Sequence, residues 1–348
     1  MQIIAGPLAP EGSGRARVKP PSRPCYDTRA TAVSPANRSA PDRMGGMQDR
    51  RRLLVAVNPS ASFGKNRAVG PLVLERLRAA GHDVTELTRP SMAQLHEATA
   101  AALAADRPDA LVVVGGDGMV HFGAQHTAGG TLPLGIIAAG TGNDVARGLG
   151  LPRGDPERAV DALLAALDRP ARRIDAIRVT GPSIAPLWVA GAVSAGFDAL
   201  VNERANLMRF PRGGSRYTVA ILRELLALRP LEYTIEVDGE RRSERGVLLS
   251  VANNRYIGGG MHITPGALLD DGELDVLLVS PIGRLRFLAL FPRVFSGRHV
   301  GLSVVRIERV RRITVDAAGP IAAYGDGERL GDLPLTFEVV PGALPLLL

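Results

Sequence analysis

Leu111 to Gly118 read L-V-V-V-G-G-D-G, four apolar residues that run without a break into a glycine-rich turn carrying one carboxylate. A short uninterrupted apolar run closed by glycines is the pattern of a parallel-sheet strand, and open α/β sheets bind ligands at the carboxyl ends of such strands. Glycines there let backbone N–H groups approach a polyphosphate without Cβ clashes. Asp117 is then placed to reach a magnesium ion or its water shell. The same residues also fit an ordinary strand–turn–helix corner, so the neighbouring sequence has to decide between the two.

Upstream, Leu53 to Val57 reads as a strand entering a small polar loop, Asn58-Pro59 through Lys65. Residues 68–80 have helical spacing in Val69, Leu72, Val73 and Leu77 and stop at Gly81. His82 to Leu87 alternates as a strand, and 92–105 is an alanine-rich helix. Downstream, Gly135 to Ala138 is a further strand that opens into Ala139-Gly140-Thr141-Gly142-Asn143-Asp144 and a short helix through Arg147. Strands alternating with helices predict a parallel sheet, with two glycine-rich strand ends on one edge. A helix over 156–167 ends at Pro170, and beyond it the character changes. Ile174–Val179, Leu187–Val193, Glu232–Val237, Gly246–Ala252, Leu274–Val279, Ile313–Val315 and Leu335–Val340 read as strands. Asp238-Gly239, Asp271-Gly272 and Asp326-Gly327 between them favour hairpins, and helices interrupt only near 215–228 and 283–295. The second half is therefore mainly antiparallel β.

Composition narrows the classes. The 348 residues, 45% hydrophobic, are enough for two domains with real cores. The net charge of +7 is concentrated in residues 1–52, where ten basic residues face four acidic ones; the remainder has 32 basic against 31 acidic and is nearly neutral. That distribution argues against nucleic acid as a partner, because tracking phosphates needs a basic folded surface. The leader 1–52 is rich in Pro, Arg, Ser and Gly and is expected to be disordered. Met44 and Met47 lie close to the first strand and suggest an alternative start. Cys25 is the sole cysteine, which excludes a disulfide framework, and no apolar stretch is long enough to span a bilayer.

Four constellations carry chemistry when taken together. Asn58-Pro59-Ser60 with Gly64 and Lys65 either turns the chain or offers N–H groups and a cation to phosphate. Gly140-Thr141-Gly142-Asn143-Asp144 either caps a helix or presents its N-terminus to an anion, with Asp144 helping Asp117 to organise magnesium. Leu268 to Asp275, L-L-D-D-G-E-L-D, is either a solvated hairpin or a hard-cation site in which Asp271 is joined by backbone carbonyls. Tyr324-Gly325-Asp326-Gly327-Glu328 is a hairpin turn whose Asp or Glu is suited to general-base work. No G-x-x-x-x-G-K-[ST], H-E-x-x-H or G-x-S-x-G occurs, and no G-x-G-x-x-G follows the first strand, which disfavours P-loop, zinc-enzyme and hydrolase readings.

In their order and spacing, N-P, G-G-D-G, G-T-G-N-D, D-G-x-L-D and the late D-G-E resemble the diacylglycerol kinase catalytic-domain family. The likeness is to soluble bacterial diacylglycerol and related lipid kinases, which are similar to sphingosine kinases. Gly196-Phe197-Asp198-Ala199 and Gly297-Arg298-His299 also resemble family signatures, and the match covers roughly residues 53–340. The resemblance implies a fold of α/β plus mainly β: an N-terminal parallel-sheet α/β nucleotide domain over 53–172 and an antiparallel β-sandwich lipid-substrate domain over 173–333. A cleft lies between them, and residues about 334–348 return to the first.

ATP would meet Asn58, Pro59, Ser60, Gly64, Lys65, Thr88, Gly115, Gly116, Asp117, Gly118, Met119, His121, Gly140, Thr141, Gly142 and Asn143. Asp117, Asp144 and Asp175 would order catalytic Mg2+ through water. Asp271, with the carbonyls of Leu268 and Glu273, would form a structural metal site, and Asp326 or Glu328 would accept the hydroxyl proton. The family's G-G-D-G-T-[LIV]-N becomes G-G-D-G-M-V-H, and the loss of a hydroxyl and an amide at Met119 and His121 bears on nucleotide affinity.

The expected reaction is transfer of phosphate from ATP to a lipid hydroxyl, diacylglycerol giving phosphatidic acid. Other lipids (a sphingoid base, phosphatidylglycerol) and NAD, whose kinases share the G-G-D-G turn, stand as alternatives, with a non-catalytic nucleotide sensor behind them. A lipid substrate without a spanning helix implies peripheral docking at the cytoplasmic face of the plasma membrane. Arg204–Arg216 and Arg284–Arg298, with their interleaved apolar residues, are the candidate surfaces; the second also reads as a core helix with a charged rim. A homodimer is compatible with the sequence.

Overall fold

The computed structural model describes residues 50–58, 68–208, 210 and 215–348. The leader, Pro59, Ser60, Gly64 and Lys65 lie outside the described residues, apart from the leader's last three. The first half runs β1 (Arg52–Val57), α1 (Val69–Ala79), β2 (Asp83–Thr88), α2 (Met92–Asp106), β3 (Ala110–Gly115), α3 (Asp117–Thr127), β4 (Leu134–Ala138), α4 (Asp144–Gly148) and α5 (Pro156–Leu167). The strands are parallel in the order β2-β1-β3-β4. Their apolar runs are continuous because both faces are covered. Leu53, Val55, Val112 and Val114 pack with Val73, Leu77, Val160 and Leu163 of α1 and α5. Leu54, Ala56, Leu111 and Val113 pack with Leu95, Val120 and Phe122 of α2 and α3. Helix α5 starts where Asp155 accepts a hydrogen bond from the N–H of Arg158 at 3.1 Å and Pro156 fills the first turn.

The second half begins with β5 (Arg172–Gly181), β6 (Ile184–Val189), β7 (Ala192–Gly196), α6 (Phe197–Leu207) and α7 (Ser215–Leu226). It continues with β8 (Leu231–Val237), β9 (Glu240–Gly246), β10 (Leu248–Ala252), β11 (Leu274–Val279) and α8 (Arg284–Leu290), followed by two 3-10 turns, Phe291–Ser296 and Arg298–Gly301. It closes with β12 (Val305–Val310), β13 (Arg312–Ala317), β14 (Ala322–Gly325), β15 (Glu328–Asp332) and β16 (Leu335–Leu346). Strand β16 joins the halves: it lies antiparallel to β5 and β13, and at Leu346 it is parallel to β4. The parallel sheet therefore continues into β16, β13, β8 and β9, and a second antiparallel sheet, β12-β11-β10-β7-β14-β15, faces that extension. Ile177, Ile235, Val315 and Phe337 on one side and Val193, Leu249, Val276 and Ala323 on the other form one core.

Four expectations change. The single strand expected over 187–193 is two, β6 and β7, broken at Ala190-Gly191 where the chain passes from one sheet to the other. The one expected over 246–252 is broken likewise at Val247. At the first break the apolar pattern runs through because Leu187 and Val189 before it and Val193 and Ala195 after it face the same inter-sheet core. Asp271-Gly272 does not close a hairpin; it lies near the end of the loop 253–273 between β10 and β11. Helix α6 and strands β9, β12, β14 and β15 are additional, β9 being a charged strand paired along its length with β8. Asp238-Gly239 and Asp326-Gly327 do close two-residue hairpins, with φ of 52° and 84° in the first and 49° and 88° in the second, the backbone of a type I′ turn.

Candidate functional site

Strands β3 and β4 are neighbours in register, Gly115 beside Ala138, so their glycine turns meet at the sheet's carboxyl edge. They meet backbone to backbone: a Cβ on Gly140 would stand 2.3 Å from the Cα of Gly116. The side chain of Asn143, itself at φ 52°, ties its own turn by accepting from Gly140 N–H at 3.0 Å and donating to Gly140 O at 2.8 Å. Asp117, first residue of α3, reaches across and accepts from the N–H of Val145 at 3.2 Å, so the N-terminus of α4 is capped by a carboxylate from the other turn. Asp144 Oδ2 accepts from Gly259 N–H at 2.7 Å, and its Oδ1 is buried without a hydrogen-bond partner. Gly142 separates the two acids: a Cβ there would lie 2.8 Å from Asp117 Oδ2 and 3.5 Å from Asp144 Oδ2. Burial, reinforced by the Asp144 charge, pushes Asp117 up to about 6; burial also raises Asp144.

A third acid comes from the opposite side. The hairpin turn after β14 swings Asp326 against the break between β6 and β7, where Oδ2 accepts from Ala190 N–H at 2.8 Å and Oδ1 from Gly191 at 2.9 Å and Ala192 at 3.3 Å. Gly191 has no room for a side chain, since a Cβ would stand 2.6 Å from Asp326 Oδ1. Burial, and then the charge of Asp117, push Asp326 up to about 7 despite these three donors. Glu328 takes a different place. Its Oε1 rests against Gly118, 2.7 Å from where a Cβ would be, and burial of the carboxylate raises its pKa. Asp117, Asp144 and Asp326, but not Glu328, line a cavity of about 480 Å³.

Away from the three acids that cavity is apolar. It extends between the inner faces of α6, α7 and α8 and the six-stranded sheet, past Phe197, Val201, Ile221, Leu248, Met261, Phe287 and Val294. One further carboxylate lies in its wall: burial pushes Asp198 up to about 6, while Ser194 and nearby N–H groups hold it. Its Oδ1 has no hydrogen-bond partner among the described residues.

The other predicted residues divide. Asn58, Thr88, Gly115–Gly118 and Gly140–Asn143 occupy or directly follow the carboxyl ends of four adjacent parallel strands. Thr141, Gly142, Asp117 and Asp144 line the cavity. Met119 does not. It is 2% exposed and packs in the core between α3 and the sheet, so the place expected to contact nucleotide holds a core side chain. His121 is buried one turn along α3, and its Nδ1 faces Asp326 Oδ2 at 3.9 Å. Burial, and then the His96 charge, push His121 down to about 4.

Asp175 is also displaced from its expected role. Its oxygens accept from Gly272 N–H at 2.7 Å and Gly342 N–H at 2.8 Å, which fastens the loop 253–273 to β16, and it does not line the cavity. At the site expected over Asp271, Leu268 and Glu273 the neighbouring positive charge is a guanidinium. Arg309 pairs with the carboxylates of Asp271 and, at 2.9 Å, Glu273, so a guanidinium supplies the charge a structural metal was expected to bring. Among the described residues no three His, Cys, Asp or Glu side chains form a metal-holding group.

Asn253 and Asn254 were not anticipated. Their N–H groups both donate to Gly191 O, at 2.8 and 3.0 Å, and Asn254 Nδ2 donates to Asp144 O at 2.9 Å. They thus connect the Asp326 cradle to α4. The available signal was two adjacent amides directly after a buried strand, which a strand-by-strand reading passes over. Asp198 belongs to the Gly196–Ala199 string, and it is helix α6 that places it in the cavity wall.

Residues 52–179 match the diacylglycerol kinase catalytic domain, and residues 191–348 match the YegS C-terminal NAD kinase beta sandwich-like domain. A diacylglycerol kinase of Mycobacterium tuberculosis (strain CDC 1551 / Oshkosh) is 37% identical over 297 residues, 85% of this chain and 94% of the relative. One from Bacillus subtilis (strain 168) is 27% identical over 297 residues, 82% and 93% of the two chains. The crystal structure of a diacylglycerol kinase from Bacillus anthracis str. Sterne shares the fold with a TM-score of 0.63 at 20% identity, covering 86% of this chain and 97% of that one.

Proposed function

Since this chain belongs to the diacylglycerol kinase family and is an ATP-using phosphotransferase, we propose that its acceptor is the free hydroxyl of diacylglycerol and its product phosphatidic acid. The observation that carries this reading is the continuity of an apolar cavity of about 480 Å³ with three carboxylates at one end. A cavity lined mainly by Phe, Leu, Val, Ile and Met suits acyl chains and offers few partners to a soluble, charged acceptor such as NAD.

In this reading the nucleotide lies over the two interlocked glycine turns. Asp117 and Asp144 suit a hard cation, because Asp144 Oδ1, 3.8 Å from Arg147 Nε, is buried without a hydrogen-bond partner and the Asp144 charge raises the cost of ionising Asp117. Asp117 and Asp144 would hold a magnesium ion there, which would supply positive charge against the transferring phosphoryl group. Asp326 is the proton acceptor. It lines the cavity, its three N–H donors fix its orientation, and a pKa near 7 matches a base that works near neutral pH. The lipid oxygen forms its bond to the γ-phosphorus as the bond to the ADP leaving oxygen breaks, and the hydroxyl proton goes to the Asp326 carboxylate. Glu328, against Gly118 and outside the cavity lining, shapes the turn instead. Asp198 is suited to hold a second polar group of the acceptor near the reacting hydroxyl.

The test is phosphoryl transfer from γ-labelled ATP with magnesium to diacylglycerol, a sphingoid base and phosphatidylglycerol in mixed micelles, with NAD in parallel. Label in phosphatidic acid supports the proposal. Label in another lipid alone replaces the substrate, label in NADP alone replaces the class, and no label at all points to a nucleotide-binding protein without transfer.

A further inference from the structure

The helices that wall the cavity have a second face. Phe287 and Leu290 of α8 and Ile221 of α7 point into the cavity, yet Leu285, Leu288, Leu222 and Leu226 on the same helices are exposed, Leu285 at 84% and Leu226 at 71%. Phe295 and Val300 in the following turns are exposed as well. An amphipathic helix buries its apolar residues on one side; here apolar residues occur on both. Folding alone accounts for the inner set and leaves the outer set without a partner among the described residues.

The charge of this segment says what covers it. From Pro281 to Gly301 there are four arginines, Arg284, Arg286, Arg293 and Arg298, and no aspartate or glutamate. None of the four forms an ion pair among the described residues, whereas elsewhere on this surface arginines do pair, as Arg178 with Glu338 and Arg306 with Glu244. Exposed aliphatic and aromatic side chains interleaved with uncompensated arginines match an anionic lipid surface, in which the apolar groups enter the acyl boundary and the guanidinium groups meet phosphates. A second copy of this chain would bring its own arginines against these and repel.

Building on the lipid-kinase reading, we propose that the outer face of α7, α8 and the turn through Val300 docks this protein on anionic bilayers and opens the cavity directly to lipid. Because the docking residues belong to the cavity's own walls, a lipid passes from bilayer to cavity without crossing water.

The test uses the full chain and reads binding and turnover separately. Flotation with vesicles of phosphatidylcholine alone, or with added phosphatidylglycerol, measures docking without any need for catalysis. The wild type is expected to bind the anionic vesicles, to release them at high salt and to ignore the neutral ones. The double variant Leu285→Glu/Leu288→Glu is expected to lose vesicle affinity by at least about tenfold. It should lose turnover on vesicle-borne lipid while keeping turnover on a short-chain acceptor dispersed in detergent. A charge-reversed pair, Arg284→Glu/Arg286→Glu, should show the same split. Unchanged vesicle binding in both variants overturns the proposal. So does a wild type that fails to bind vesicles and instead changes from dimer to monomer with the leucine pair. If short-chain turnover is absent in the wild type, the kinase reading fails while the binding result still stands or falls by itself.

Discussion

At the scale of single residues, the two departures from the family's G-G-D-G-T-[LIV]-N pattern change meaning once placed. Met119 replaces a hydroxyl, but its side chain packs in the core with Phe122 and Leu134. Met119→Thr should therefore cost about 1–3 kcal/mol of stability, by leaving a cavity and burying a hydroxyl, and leave the KM for ATP unchanged within about twofold. Chemical denaturation and steady-state kinetics check the two halves, and a large rise in KM with no loss of stability would return Met119 to the nucleotide site. His121 stands 3.9 Å from Asp326, so His121→Ala should act on the acid end of the reaction. It is expected to change kcat and the pH dependence while the KM for ATP moves by less than about twofold. Neither placement was readable from sequence, because which face of α3 each residue occupies depends on how that helix lies on the sheet.

Among the elements, the glycine turns and the D-G hairpin turns were legible, because each rests on local backbone chemistry: positive φ at Asp326 and Gly327, strands ending in glycine. What pairs with each turn was not legible. The three acids gathered at one end of the cavity come from α3, α4 and the β14–β15 turn, and the cradle of Asp326 is a strand break that an unbroken apolar pattern concealed. Gly140→Ala tests the interlock of the turns. With Gly116 Cα 2.3 Å from the new Cβ, the backbone has to move, at about 1–3 kcal/mol in stability, and transfer should fall by at least about tenfold from the displaced Asp117 and Asp144. Near-normal stability and turnover would mean the turns are independent. The loop at Asp271 gives a contrasting prediction. Since Arg309 neutralises Asp271 and Glu273, EDTA should abolish turnover yet leave the melting temperature within about 1 °C. A fall of several degrees would restore a structural metal.

For the whole molecule, the parallel-then-antiparallel order was plain in the alternation of elements, and β16, by pairing with β4, β5 and β13, holds the two halves in one sheet. That continuity keeps Asp326, on the β side, within electrostatic reach of Asp117, on the α/β side, whose charge adds to the rise that burial gives the Asp326 pKa. A general base acts unprotonated, and burial with the Asp117 charge raises Asp326 to about 7, so kcat/KM should rise with pH through about 7 and level off above it. The pH profile of diacylglycerol phosphorylation by the wild type, Asp326→Asn and Glu328→Gln is the most direct measurement. We expect the wild-type limb near pH 7, a loss of at least about 10²-fold (about 2.7 kcal/mol) with no such limb in Asp326→Asn, and a loss below about tenfold in Glu328→Gln with the limb retained. Near-normal turnover in Asp326→Asn, with the large loss in Glu328→Gln, would contradict it.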